Sequence, residues 1–308
     1  MNAIRELGII IACYPGDLIW AKGCVGSLHR SGVHLPIQIL FDGVASAHPE
    51  LGALVSRGLV AGITDRTSVK DPWLRANSFG WGFTKMIAFW ESPWEHFIFL
   101  DADTAVSRDI TGMFADATEV DFLLDEPEQP SDAAGVAKWF FEPSRVEFHY
   151  PDFSWRTYQA HYYCTGVFAA RRGSIPLAEY QRALDIHRSD PAIYRFGGEM
   201  GMLNLLIFSL HQRGLATFRQ RRLQLLTADH DDEFLQERLM EERPWVFHYA
   251  GRKPLMHGDS FHEPMTSGRQ WVADQLGGSL SREDLLFKIR YFLFRLRKKI
   301  RRYLGKRV

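Results

Sequence analysis

Two aspartates separated by one residue follow an apolar run near the middle of the chain. The run 97–100 is typical of a buried strand, and Asp101, Ala102 and Asp103 come directly after it. In extended backbone, residues i and i+2 face the same side, so both carboxylates can converge on one cation. Hard oxygen ligands of this kind suit Mg²⁺ or Mn²⁺. An Asp-x-Asp sequence also occurs in solvated turns, but its position at the end of a strand favours a metal site.

A second set of candidate residues lies further along the chain, in the sequence His248-Tyr249-Ala250-Gly251-Arg252-Lys253-Pro254. The imidazole of His248 could complete a metal site, Gly251 could let the backbone approach a phosphate, and Lys253 could neutralise its charge. A lone histidine after a strand is more often a buried structural residue. His248 is therefore a ligand candidate only together with the two aspartates.

Apolar runs that alternate with helical patterns must position these residues. In the first half of the chain we predict strands at 8–13, 36–41, 59–63, 96–100 and 120–124, and helices at 18–28, 51–57 and 83–90. Strands separated by helices favour a mostly parallel sheet with helices on both faces. Ligands of such sheets bind at the carboxyl ends of the strands. We therefore expect an α/β, Rossmann-like domain.

The second half of the chain is less regular. Residues 125–152 mix acidic, proline and aromatic residues, and we predict a long loop over the site. We also predict a strand at 161–170, helices at 176–187 and 198–210, and a short strand at 246–249. No internal repeat and no Gly/Ser linker divides the chain. We expect one domain over residues 1–260 and a C-terminal segment over 261–308.

Composition limits the class of protein. A chain of 308 residues with 46% hydrophobic and 24% charged residues is long enough for one large α/β domain. The cysteines Cys13, Cys24 and Cys164 are too far apart for a disulfide framework or a zinc site, which favours a reducing compartment. No apolar stretch is long enough to span a bilayer, and the run 7–13 is more typical of a first strand than of a signal peptide. These features predict a cytoplasmic protein.

The formal net charge of zero conceals an uneven distribution. Residues 285–308 contain ten Lys or Arg and no acidic residue, so the rest of the chain has 27 basic residues (37 − 10) against 37 acidic ones. A helix from about residue 282 would place apolar side chains on one face and basic ones on the other. Such a helix lies on the anionic surface of a membrane, or its apolar face packs on the protein's own acidic body. An acidic body disfavours nucleic acid as a partner.

Five motifs together resemble family 8 glycosyltransferases of the GT-A type, which include glycogenin and bacterial lipooligosaccharide galactosyltransferases. In chain order the motifs are Phe83-Thr84-Lys85-Met86, residues 97–103, Cys164-Thr165-Gly166-Val167-Phe168, Glu199-Met200-Gly201-Met202-Leu203-Asn204 and residues 248–254. The resemblance extends from about residue 8 to residue 254. It implies a GT-A fold and a retaining transfer of a hexose from a UDP-sugar to a saccharide or lipid-linked acceptor.

The resemblance also implies a role for each matching residue. The metal, Mn²⁺ or Mg²⁺, would be held by Asp101, Asp103 and His248. The remaining residues that match donor-binding positions are Ala12 and Tyr14 for the nucleoside, and Lys85, Ala102, Gly251 and Lys253 for the diphosphate. Glu199 falls where the family has a carboxylate near the reacting sugar. As the first residue of a predicted helix, Glu199 could instead serve only to stabilise the helix dipole.

The sequence departs from the family pattern at three places. Only Arg252 separates Gly251 from Lys253, where the family has two residues, and Cys164 and Met200 replace an asparagine and a glutamine that touch the transferred sugar. The sugar therefore stays open. Two other classes also stay open: a metal-dependent phosphohydrolase or nucleotidyltransferase, and a non-catalytic nucleotide-sugar-binding protein.

Overall fold

A computed structural model gives the fold of residues 7–80, 82–196, 198–251, 253 and 262–278. The described residues contain ten strands: β1 (Leu7–Cys13), β2 (Ile37–Phe41), β3 (Gly62–Asp65), β4 (His96–Asp101), β5 (Thr104–Val106), β6 (Phe122–Asp125), β7 (Val167–Arg171), β8 (Phe218–Arg221), β9 (Leu225–Leu226) and β10 (Val246–His248). They also contain ten α-helices: α1 (Leu18–Arg30), α2 (Pro49–Ser56), α3 (Pro72–Asn77), α4 (Ala88–Glu91), α5 (Ala133–Trp139), α6 (Pro143–His149), α7 (Leu177–Ser189), α8 (Glu199–Gln212), α9 (Asp232–Met240) and α10 (Glu263–Leu276).

The larger of two sheets has the strand order β3-β2-β1-β4-β7-β6-β8 within the described residues. Neighbouring strands are parallel except at β7, which runs antiparallel to both β4 and β6. The first strand lies in the middle, with Ile10 paired to Gln38 of β2 and to Phe99 of β4. The predicted mostly parallel sheet is thereby confirmed.

Both faces of the large sheet are covered, as predicted. Ile9 and Ile11 are fully buried in a cluster that includes residues of α1, α2 and α10. Ile10 points to the other face and packs in a second cluster with residues of α4, α7 and α8. Burial on both faces explains why the interior of β4, residues 97–100, and the run Ile9–Ile11 of β1 are apolar and do not alternate with polar residues.

Helix α10 packs closely on α1. A Cβ atom at Gly26 would lie 1.9 Å from the carbonyl oxygen of Gly268, so the contact requires glycine there. Met265 and Val272 of the same helix are fully buried. The described part of the predicted C-terminal segment thus packs against the main body, and the division near residue 260 stays a prediction. The predicted amphipathic helix over 285–308 lies outside the described residues.

In the part of the chain that the structure describes, no helix has the length and apolar character needed to cross a bilayer.

Three predictions about local structure were wrong in the type or the bounds of an element. The strand predicted at 59–63 is β3, Gly62–Asp65. Leu59 belongs instead to the end of α2, because Gly58 has φ +69° and the backbone N–H of Leu59 donates to the carbonyl of Leu54 at 2.9 Å. A glycine with positive φ followed by an apolar residue is a common helix ending.

The predicted loop over 125–152 contains the helices α5 and α6. Asp132 caps the first by accepting a hydrogen bond from the backbone N–H of Gly135 at 2.6 Å, and Pro143 occupies the first turn of the second. The strand predicted at 161–170 begins only at Val167, after a 3-10 helix at Trp155–His161.

Candidate functional site

The two aspartates lie where β4 ends, at the carboxyl edge of the parallel strands. Asp101 is the last residue of β4 and pairs with Ala12 of β1. Its backbone N–H donates to the carbonyl of Gly166 at 2.8 Å. The chain then turns through Ala102 and Asp103 into β5. Both carboxylates are therefore at the edge where ligands of parallel sheets bind.

The second sheet, in the order β5-β10-β9, brings His248 to the aspartates. β5 pairs with β10 so that Thr104 lies opposite His248. The backbone N–H of Tyr249 donates to the carbonyl of Asp103 at 2.9 Å and extends this pairing. This antiparallel pairing places Asp103 and His248 side by side although they are far apart in the sequence.

The three predicted metal ligands come together. His248 Nε2 lies 3.7 Å from Asp101 Oδ2 and 3.5 Å from Asp103 Oδ1, and all three candidate ligand atoms lie within 4.8 Å of one another. Asp103 and His248 are 7% and 3% exposed. Two carboxylate oxygens and one imidazole nitrogen at this spacing fit a divalent cation such as Mn²⁺ or Mg²⁺.

Opposite charges hold this buried group together. Burial alone would raise the pKa of Asp103, but Lys253 and His248 outweigh it and hold the pKa far below its ordinary value. Burial alone would lower the pKa of His248, whereas the Asp103 carboxylate raises it well above the ordinary histidine value. The site therefore strongly favours positive charge beside Asp103, which is what a cation site requires.

Lys85 lies between two carboxylates. It belongs to the 3-10 helix Phe83–Ile87, and its Nζ lies 3.2 Å from Asp101 Oδ1 and 3.1 Å from Glu199 Oε1. The same ammonium donates to the carbonyl of Thr165 at 3.0 Å. Burial alone would lower the pKa of Lys85, but Asp101 and Glu199 raise it above its ordinary value. Lys85 is thus a fixed buried charge at the site.

Glu199 is the first residue of α8 and also faces the site. Its Oε1 accepts a hydrogen bond from the hydroxyl of Thr165 at 2.7 Å in addition to the contact with Lys85. Burial raises the pKa of Glu199 above its ordinary value, although Lys85 opposes the shift. The helix start alone does not account for this carboxylate, because two polar side chains from other elements bind it.

The other predicted donor-binding residues surround the aspartates. Lys253 Nζ forms an ion pair with Asp103 Oδ2, and Gly251 has φ +73°. Ala102 is buried and Ala12 is partly buried, whereas Tyr14 is 53% exposed just after β1. Lys253 therefore contacts a proposed metal ligand directly, and Tyr14 is partly open to solvent.

Sequence reasoning missed four residues at the site. Thr165 belongs to the motif Cys164–Phe168, but no role was assigned to it. Its hydroxyl beside Gly166 was a signal in the sequence that could have indicated one. Asp17 lies directly before α1, and its pKa is raised by burial, with Lys253 opposing and Asp103 and Asp101 reinforcing the shift. Asp125 ends β6 as Asp101 ends β4, and this shared pattern was a usable signal. Gln224 contacts His248 Nδ1 at 2.9 Å and has no sequence signal of its own.

Comparison with known proteins finds similarity in structure but not in sequence. No protein-family profile matches the sequence, and no curated protein matches it. Solved structures do match. The galactosyltransferase LgtC, in complex with donor and acceptor sugar analogues, is 14% identical with a TM-score of 0.53, over 88% of this chain and 95% of that chain.

Two further structures give similar values. The bifunctional glycosyltransferase WbbM is 11% identical with a TM-score of 0.57; the match covers 89% of this chain and 52% of WbbM. The glycosyltransferase GlyE from Streptococcus pneumoniae TIGR4 is 14% identical with a TM-score of 0.55, over 88% of this chain and 64% of that one. Likeness at these identities shows the fold. The chain therefore has the GT-A glycosyltransferase fold that the sequence resemblance implies.

Proposed function

We propose that the protein is a metal-dependent, retaining glycosyltransferase that moves a hexose from a UDP-sugar to a saccharide or lipid-linked acceptor. The observation that carries the proposal is the convergence of Asp101, Asp103 and His248 at the carboxyl edge of a GT-A sheet. The ion pairs from Lys85 to Asp101 and Glu199 support it, since they connect the proposed metal site to a carboxylate.

Each residue has a chemical task in this proposal. A cation bound by the two aspartates and His248 would supply Lewis-acid stabilisation to the leaving diphosphate. Lys253 and Lys85 add fixed positive charge, which is effective because the site is largely shielded from water. Glu199 is the candidate carboxylate that would stabilise the positive charge developing at the anomeric carbon. Lys85 and Thr165 hold that carboxylate in place.

Ala12 and Tyr14 are proposed to receive the nucleoside. Ala12 pairs with Asp101 across β1 and β4, so a base bound after β1 would lie beside the metal site. The exposed ring of Tyr14 offers an apolar face for the base. Gly251 has no side chain and Ala102 has only a methyl group, so the backbone at both positions could come close to the diphosphate.

We further propose that the basic segment 285–308 attaches the protein to an anionic membrane surface at the cytoplasmic face. Its ten basic residues, set against an acidic remainder of the chain, support this. A lipid-linked acceptor would then be within reach of the site.

The test is product analysis with a panel of UDP-sugars, Mn²⁺ and saccharide acceptors. A glycoside product together with UDP, absent in EDTA, would support the proposal. Release of phosphate or nucleotide without dependence on the sugar would indicate a phosphohydrolase or nucleotidyltransferase. Binding of UDP-sugars in a thermal-shift panel without turnover would indicate a binding protein. Asp103→Ala serves as the inactive control.

A further inference from the structure

Gln224 connects the metal-site histidine to a buried carboxylate behind it. The side chain is 2% exposed and follows β8. Its amide nitrogen lies 3.0 Å from Asp125 Oδ2 and 2.8 Å from the carbonyl oxygen of Cys164, and its Oε1 lies 2.9 Å from His248 Nδ1. Both amide hydrogens are therefore used, and the amide oxygen is left for the imidazole.

The carbonyl of Cys164 decides which way the amide points. A carbonyl oxygen can only accept a hydrogen bond, so the amide atom that faces it must be the nitrogen. In the reverse orientation Oε1 of Gln224 would face this carbonyl with no proton between them, whatever the protonation state of Asp125. The amide orientation at Gln224 is thus fixed by the backbone.

The amide orientation in turn fixes the histidine tautomer. Because Oε1 can only accept, His248 Nδ1 must carry a proton, and in the neutral ring Nε2 then has the free lone pair. That nitrogen is the one that faces Asp101 and Asp103. Gly166 closes one face of the ring, since a Cβ there would lie 2.2 Å from Cε1 of His248.

Asp125 anchors this arrangement to the large sheet. It is the last residue of β6, and its Oδ1 accepts from the backbone N–H groups of Leu223 at 2.8 Å and Gln224 at 3.2 Å. We propose that Gln224, held by Asp125 and the Cys164 carbonyl, is a positioning residue that fixes the Nδ1-protonated tautomer of His248 and directs Nε2 at the cation. The proposal relies on the proposed function for the presence of the cation.

The chain provides a matched control at Gln220. Its Oε1 lies 2.5 Å from Nδ1 of His161, and its Nε2 donates to the carbonyls of Asp125 at 3.0 Å and His161 at 2.9 Å. As at Gln224, the amide oxygen faces a histidine Nδ1 and the amide nitrogen has two acceptors, which here are both backbone carbonyls, but His161 is not a candidate metal ligand. Gln220→Met therefore removes an equivalent amide without touching the metal site.

The first measurement is Mn²⁺ affinity, from the electron paramagnetic resonance signal of free Mn²⁺, without UDP. Methionine is about the length of glutamine and cannot hydrogen-bond to the ring strongly. Gln224→Met should raise the Mn²⁺ dissociation constant about 10- to 100-fold, as loss of a supporting hydrogen bond to a metal-bound histidine does. Gln220→Met should leave it unchanged. Equal Mn²⁺ affinities in the two variants would overturn the proposal.

The second measurement is nitrogen-15 NMR of the His248 side chain in the metal-free protein, at a pH where the ring is neutral. The wild-type spectrum should show a protonated Nδ1, and Gln224→Met should show a mixture of tautomers. A protonated Nε2 in the wild type would overturn the proposal, even if the variant does not fold. Wild-type protein that binds Mn²⁺ but transfers no sugar would instead contradict the proposed function alone.

Discussion

The ammonium of Lys85 lies 3.1 Å from Oε1 of Glu199, and this contact joins the start of α8 to the carboxyl edge of the sheet. The same ammonium lies 3.2 Å from Asp101 Oδ1. The Lys85 side chain is 5% exposed, so it could not replace these partners with water. The buried ammonium of Lys85 therefore sets the position of the proposed catalytic carboxylate, Glu199, relative to the proposed metal ligand Asp101.

Lys85→Met should impair both folding and transfer. Two carboxylates would lose their shared partner in a largely buried setting, which typically costs about 3–5 kcal/mol. The transfer rate should fall about 10²- to 10³-fold, as it does when a fixed charge at a reacting centre is removed. Urea unfolding and the initial rate of transfer measure the two effects.

Two further variants make this prediction specific. Lys138→Met removes an exposed lysine whose Nζ lies over the ring of Trp139. It should change neither the free energy of unfolding nor the transfer rate. Lys85→Met combined with Glu199→Gln should regain part of the lost stability, because one unpaired charge is gone, but no transfer activity. A single Lys85→Met variant with unchanged unfolding would contradict the assigned contacts.

Asp103→Ala should abolish the effect of Mn²⁺ on UDP binding. In the wild type Mn²⁺ should tighten the binding of UDP, because Asp101, Asp103 and His248 would hold a cation whose positive charge attracts the diphosphate. Calorimetric titration of UDP in Mn²⁺ and in EDTA measures the difference. Asp109→Ala is the control, since the exposed Asp109 hydrogen-bonds to Thr111 in its own loop and lies away from the three proposed metal ligands. Equal UDP affinity of the wild type in both buffers would refute the metal site.

The free energy of unfolding of the metal-free protein should fall as pH rises from about 4 to about 6, because Asp17 loses a proton. Burial raises the pKa of Asp17 to about 6, with Lys253 opposing and Asp103 reinforcing the shift. The folded state therefore binds a proton more tightly than the unfolded chain does, and the stability from that proton is lost on deprotonation. The expected loss is about 3 kcal/mol.

Unfolding free energies in EDTA at several pH values would test this. Asp17→Asn should remove most of the decline between pH 4 and pH 6, because the amide does not titrate. Asp185→Asn, at a side chain that is 72% exposed, should leave the decline as it is. The same slope in Asp17→Asn and the wild type would contradict the prediction.

The parts of the site that could be predicted from sequence are those with local signals. Asp101 and Asp103 follow an apolar run, and such a run ends at the edge of a parallel sheet. Gln224 could not be predicted, because its role depends on contacts with Asp125, Cys164 and His248, which come from separate parts of the chain. No spacing of residues in the sequence indicates that these four residues come into contact.

The short helices were missed for a related reason. Helices as short as α5 and α6 are not stable alone, so their helical pattern is weak. They are stabilised by packing, as the fully buried Val136 and Val146 show. Long apolar strands such as β4 and long helices such as α8 carry their own signal, and both were predicted.

The first-formed product should retain the anomeric configuration of the donor. This expectation follows from the resemblance to family 8 glycosyltransferases, since no distance between the described residues reports stereochemistry. Proton NMR of the product, recorded before it can equilibrate, distinguishes the two outcomes. An inverted linkage would exclude the retaining mechanism and leave the metal site unaffected.

Removal of residues 285–308 should abolish binding to anionic vesicles. These residues carry ten basic side chains and no acidic one, and each basic group near an anionic surface contributes about 1 kcal/mol. If these residues form a helix from Arg282, as the sequence predicts, its apolar residues would share one face: Leu285, Ile289, Phe292, Leu293, Leu296, Ile300 and Tyr303. The basic residues Lys288, Arg295, Lys298, Lys299 and Arg302 would share the other.

Co-sedimentation with anionic vesicles would compare the full chain with a version that ends at Asp284. The full chain should pellet at low salt and be released at high salt, because a Debye length of about 3 Å at 1 M ionic strength screens the attraction. Vesicles of neutral lipid are the control, and neither chain should pellet with them if charge drives the attachment. If the apolar face instead packs on the acidic body of the protein, truncation should lower the unfolding temperature and leave vesicle binding equal in the two chains. That result would replace membrane attachment with an intramolecular contact.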